Sequence, residues 1–157
     1  MAQLARIVRL DESDDRVFEH PAEMGEWALS GAFEFSNWTA DDLSGKQRQA
    51  FSNGWLGLES FGRASIIAVT PITEAELDQL ADALAEHFVE RYGAPNKEAA
   101  RPVAIEELKH ATDLCDEHPP NTLLLVERSL EDVGVRERYR AVAPQAASIE
   151  SFAVHGD

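Results

Sequence analysis

The stretch Thr73–Pro95, TEAELDQLADALAEHFVERYGAP, decides the fold class. It opens on Thr73 and Glu76. At T-x-x-E spacing, hydroxyl and carboxylate satisfy each other's orphan N–H groups at a helix start. Leu77, Leu80, Ala81, Leu84, Phe88, Val89 and Tyr92 then recur at helical spacing. Gly93 stands where a left-handed residue closes a helix, and Pro95 bars continuation. The spacing predicts one long helix whose apolar stripe needs a surface to cover it.

Working outward, a second helix starts near Asn96 or Pro102 and runs to about Glu117. Its stripe is Ile105, Leu108, Ala111 or Thr112, and Cys115. Pro102 belongs in its first turn or kinks it. His118-Pro119-Pro120 ends it. On both sides of this pair the period changes from helical to two. Residues 4–10 alternate, and Arg16 to Phe18 resume a short strand. Residues 27–35 put Trp27, Leu29, Gly31, Phe33 and Phe35 on one strand face. Ser44 and Gln47 fit a capping box for a short helix to about Ser52. Residues 63–70, RASIIAVT, read as one buried strand stopped by Pro71. Thr122–Arg128 and Val135–Ala141 are the last strands. Strands at both ends of a helical pair predict an α+β fold in two layers, an antiparallel sheet packed on two long helices. A parallel sheet needs more regular alternation of strand and helix. The expected organisation is one domain over residues 1–143 and a flexible tail over 144–157, where small and polar residues dominate.

The chain has 157 residues, with 29 acidic and 14 basic side chains, a formal net charge of −15. Nucleic acid as the main partner requires clustered cations, and an anionic membrane surface requires the same. Neither is expected here. One cysteine gives no disulfide framework and fits a reducing compartment. The longest apolar run, near Ile66–Val69, is far short of a membrane span, and no targeting segment precedes it. The expected location is the cytoplasm.

Several segments carry candidate chemistry. Gly57–Ala64, GLESFGRA, imitates the spacing of a phosphate loop. Arg63 replaces the lysine, Ala64 replaces the hydroxyl, and a strand follows instead of a helix, so structural glycines are the better reading. His110, Cys115 and His118 are the candidate catalytic residues. At 3.6 residues per turn, positions 110 and 115 point roughly 140° apart. Cys115 continues the apolar stripe, and Asp113, Asp116 and Glu117 around it oppose a thiolate. The face His110, Asp113 and Glu117 is a weak set for a divalent ion, with fewer ligands than zinc requires. No metal and no cofactor is expected.

Glu74, Asp78, Asp82, Glu86 and Glu90 recur every four residues opposite the apolar stripe. This acidic ridge is either a solvated face or a docking surface for a basic partner. Arg136, Arg138 and Arg140 share one side of the last strand. They suit a small anion, a second copy's acidic helix, or protection of a sheet edge.

The stretches GEWALSGAFEF (25–35), WLGLESFGRAS (55–65), AEHFVERYGAP (85–95), LCDEHPPNTLLL (114–125) and VRERYR (135–140) resemble a family of short, chiefly proteobacterial proteins of unknown function. The resemblance spans residues 4–141. It implies no activity and carries over no catalytic residue. Genes for oxidoreductase or cofactor maturation beside family members imply one reading, an assembly factor for a metal-cofactor oxidoreductase. The residues themselves favour a non-enzymatic accessory protein acting through protein–protein contacts, with another protein or a second copy of itself as partner and a homodimer as its form. The alternative is a small enzyme or ligand-binding protein for an anionic small molecule. Its pocket would be lined by Trp55, Phe61 and the arginines, with His110 or His118 moving protons.

Overall fold

The computed structural model describes residues 2–9, 13–35, 38, 40–132 and 134–142. Strand β1 (Gln3–Val8) is followed by the short helix α1 (Ser13–Val17) and β2 (Trp27–Leu29). Helix α2 (Gly45–Asn53) leads into β3 (Trp55–Gly57), β4 (Arg63–Ala64) and β5 (Ile66–Pro71). The long helices α3 (Glu74–Tyr92) and α4 (Lys97–Asp116) come next, and then β6 (Leu123–Glu131) and β7 (Gly134–Val142). The fold is α+β. Among the described residues the strands form one antiparallel sheet in the order β4-β3-β2-β1-β5-β6-β7.

The helical pair has the ends its sequence encodes. The Thr73 hydroxyl accepts from the Glu76 N–H at 3.1 Å, and the Glu76 carboxylate accepts from the Thr73 N–H at 3.0 Å. Gly93 closes α3 at φ 73°. The Asn96 side chain caps α4 through the Ala99 N–H at 2.8 Å. Leu80, Leu84 and Phe88 of α3 and Ala104, Leu108 and Ala111 of α4 cover Leu4, Trp27, Leu29 and Leu56 of the sheet. Like charges along the α3 ridge cost about 0.2–0.5 kcal/mol per pair. Each large apolar side chain buried beneath contributes about 1.5–3 kcal/mol, so packing wins.

Strand residues of the other parity form a second core. Ala5, Ile7, Ala28, Trp55, Ile67, Val69, Leu124 and Val126 gather there with Cys115. The sheet has to curl to enclose them. Only Ser65 separates β4 from β5, yet the two strands lie four places apart in the sheet. The buried Asp14 carboxylate holds this corner, accepting from the Ser65 hydroxyl at 2.6 Å and the Ser65 N–H at 3.3 Å.

Local structure departs from the sequence reading at several places. Residues 27–35 are not one strand. β2 stops at Leu29, Gly31 takes φ 70°, and Ala32–Phe35 wind into a 3-10 turn. A Cβ at Gly31 would stand 2.6 Å from Leu56 Cβ, so glycine is required by conformation and by space. Residues 63–70 are two strands broken at Ser65. Arg16 and Val17 end a helix instead of resuming a strand. The Ser44 side chain makes no capping bond at α2. Pro102 lies past the first turn of α4, and Ile105 is exposed, not part of its buried stripe. The 144–157 tail lies outside the described residues.

Candidate functional site

The hairpin β6–β7 runs in register from Leu123↔Val142 to Glu131↔Gly134 and pairs with β5 only through Leu123 and Leu124. Beyond that point a buried arginine fastens it to the body. Arg128 donates to the carbonyls of Phe51 at 2.9 Å and Gly54 at 2.8 Å, to that of Ser30, and to the Glu137 carboxylate at 2.7 Å. Arg63 lies close by and is equally buried. It donates to the carbonyls of Ser30, Gly54 and Gly31 and pairs with Glu34. Both guanidinium groups stand over the Phe35 ring, at 4.6 and 5.2 Å from its centroid.

Each arginine therefore heads a chain of three. Arg63 meets Glu34, which accepts from the Tyr92 hydroxyl at 2.7 Å. Arg128 meets Glu137, which accepts from the Tyr139 hydroxyl at 2.7 Å. Burial pulls the Arg63 guanidinium down to about 10, with Glu34 resisting and Arg128 adding to the fall. Burial, and then the carboxylate each one faces, push both tyrosine hydroxyls upward. Two like charges this deep in a protein are tolerated because carbonyl dipoles and one carboxylate each replace lost water.

A cavity of about 550 Å³ opens between α4, the sheet and the hairpin. That volume lies within the range of small-molecule sites. Phe33, Trp55 and Tyr139 supply aromatic walls, and Glu107, His110 and Glu137 supply polar ones. Trp55 and Tyr139 lie 5.8 Å apart, centroid to centroid. Trp55 is 1 % exposed, and its indole N–H has no hydrogen-bond partner among the described residues. An orphan buried donor of this kind calls for an explanation. The Glu137 charge is already engaged by Arg128. Glu107 is not held in this way. Burial raises its carboxyl, His110 draws it back, and no hydrogen bond contributes.

The cavity gathers some of the sequence candidates and leaves others out. His110 and Cys115 both line it, flanking the strip Glu107, Ala111 and Leu114 across an arc of roughly 140°. His118 is not in the lining. Its carbonyl accepts from the Gln3 amide at 2.8 Å. Burial pushes the Cys115 thiol up to about 12, with Asp116 adding to it, so this sulfur is a poor nucleophile at neutral pH. Asp113 pairs with Lys109 at 2.9 Å. Among the described residues, no three His, Cys, Asp or Glu side chains are grouped to hold a metal ion. Arg136, Arg138 and Arg140 point away from the cavity, since Val135, Glu137 and Tyr139 take the inward register. On α3, Asp82 pairs with Lys97 at 2.9 Å, and Asp78 pairs with Arg101. Phe61 stacks on His87 at 3.8 Å, away from Trp55. His87 is buried, its Nε2 lacks a partner among the described residues, and burial lowers its imidazole.

The glycine-punctuated stretch has an internal occupant. The N–H groups of Glu59 and Ser60 and the Ser60 hydroxyl all donate to the Glu26 carboxylate, at 2.7 to 2.9 Å. A Cβ at Gly57 would collide with that carboxylate. These donors could have cradled a phosphate, but they already hold an anion.

A family profile described as a family of unknown function, DUF6505, matches residues 1–157. The chain belongs to the DUF6505 family. Neither a curated protein nor a solved structure matches it. Among the described residues of this DUF6505 member, no helix is long and apolar enough to cross a membrane.

The site residues that sequence reasoning missed are Arg63 as a buried cation, Arg128, Glu107, Glu137 and Tyr139. A signal for Arg128 was present. Along β6 it continues the buried alternation of Leu124 and Val126, which marks an arginine pointing inward.

Proposed function

We propose that this chain binds a small molecule in the cavity between α4, the sheet and the β6–β7 hairpin. The observation that carries the reading is an aromatic-lined cavity of about 550 Å³, with Trp55, whose buried indole N–H has no partner among the described residues, in its lining. Arg128 supports the site from behind, fixing Glu137 and Tyr139 without spending a cavity-facing cation. The arginines of β7 stand outside the lining, so an anionic ligand has no counter-charge there. Binding, without covalent catalysis, fits the Cys115 thiol.

Action through protein–protein contacts is the second reading. Exposed Val103 and Ile105 on α4 favour it. The acidic ridge offers it less than its sequence promises, because Asp78 and Asp82 are engaged within the helical pair. A cytoplasmic homodimer or an assembly factor for a metal-cofactor enzyme is compatible with either reading.

Native mass spectrometry of the chain purified from its own host at low salt tests the proposal. The wild type is expected to carry a small-molecule mass that Ala111→Phe, which places a ring in the lining, loses. Ile105→Glu, on the outer face of α4, is expected to keep it. A bare wild-type chain, together with a fragment screen that never moves the Trp55 indole resonance, would overturn the reading.

A further inference from the structure

We propose that the ligand of this cavity is a small organic cation, an alkylated or protonated amine. The inference rests on the cavity reading above and names the chemical class it selects. Three rings, Phe33, Trp55 and Tyr139, line the space. Ring faces attract an ammonium group through their quadrupoles, and more strongly once water is excluded. Two carboxylates, Glu107 and Glu137, share the lining, and no lysine or arginine does. Glu137 is neutralised by Arg128 at 2.7 Å, which leaves Glu107 as the lining carboxylate without an ion-pair partner among the described residues. An anion would be repelled by Glu107, with only the His110 imidazole beside it to offset that, and a neutral molecule would leave its charge half-buried without an ion pair. A cation relieves that charge and lies against an aromatic lining in the same step. The net charge of −15 adds a field that draws cations toward the whole molecule.

The class is separable from the cavity by three soluble probes of one shape. Choline carries a trimethylammonium head. The alcohol 3,3-dimethylbutan-1-ol replaces its nitrogen with carbon, and 3,3-dimethylbutanoate carries the same head with a negative charge. Each is titrated into the full chain while the indole N–H resonance of Trp55, assigned with Trp55→Phe, is followed by NMR. Choline is expected to bind about tenfold more tightly than the alcohol, the butanoate more weakly than both. Added salt is expected to weaken choline and leave the alcohol unchanged. In Glu107→Gln the preference for choline is expected to fall to about threefold or less, the share left to the rings. If the alcohol or the butanoate binds as well as choline, the cation assignment is overturned and cavity binding stands. If none of the three moves the resonance up to about 50 mM, where even millimolar contacts register, both readings fall.

Discussion

Arg128 ties three separate parts of this structure together. Its fork reaches carbonyls on α2, the chain after it and the turn after β2, besides Glu137 on its own hairpin. A lysine keeps the charge but cannot span those acceptors. Arg128→Lys is therefore expected to lose about 2–4 kcal/mol in urea unfolding, with the slope unchanged. A loss below about 0.5 kcal/mol, the scatter of ordinary surface changes, would refute this account. Glu26 makes a second residue-scale prediction. Burial opposes its charge, but the donors of Ser60, Glu23 and Glu59 outweigh that and hold the carboxyl below the usual 4.5. A folded value below the unfolded one gives stability that is present above 4.5 and lost as pH falls through the folded value. Glu26→Gln is expected to be about 1–3 kcal/mol less stable than wild type at pH 7. That gap should close as the pH is taken below 4.5 and down through the folded value in parallel denaturation series. A constant gap would show that the charge is not the cause.

At the scale of elements, the long helices were legible because their ends are written in local chemistry. Thr73 and Glu76, Gly93 and Asn96 act on neighbours within a turn or two, and no tertiary contact overrode them. The short strands were less legible. β2 and the 3-10 turn share one aromatic alternation, and only the positive φ of Gly31, set by contact with Leu56, separates them. The break at Ser65 depends on Asp14, a residue far away in sequence. Pro102 gives a test of local against tertiary control. It lies inside α4, exposed, where it removes one helical hydrogen bond. Pro102→Ala is expected to stabilise the chain by about 1–3 kcal/mol, read from the shift in melting temperature. A loss of stability would mean that α4 is bent to fit what it covers.

For the molecule as a whole, Cys115 is a reporter. It belongs to the core enclosed by the curled sheet, and its thiol is pushed up to about 12 by burial and by Asp116. Alkylation of the native chain at pH 8 by a reagent too large to enter the cavity is expected to proceed only through opening of that core, with a rate that rises with urea in step with unfolding. Fast labelling without denaturant would place the sulfur within reach of solvent. The candidate cavity was only half legible for a reason at this scale. His110 and Cys115 lie on one helix, but Trp55 is brought to them by β3, and Glu137 and Tyr139 by the return of the hairpin toward Trp55. No spacing in the chain encodes that return.

β1 lies inside the sheet, between β2 and β5. A chain made from its N-terminus holds this strand without its β5 partner until residue 71 has left the ribosome. During that interval an apolar strand with an open edge is available to any other nascent chain. Arg6 and Arg9 are the charges nearest to it. In the finished protein Arg6 lies over Trp27 and Arg9 pairs with Asp15. Before those partners arrive, the same two side chains can serve as gatekeepers of the half-made sheet.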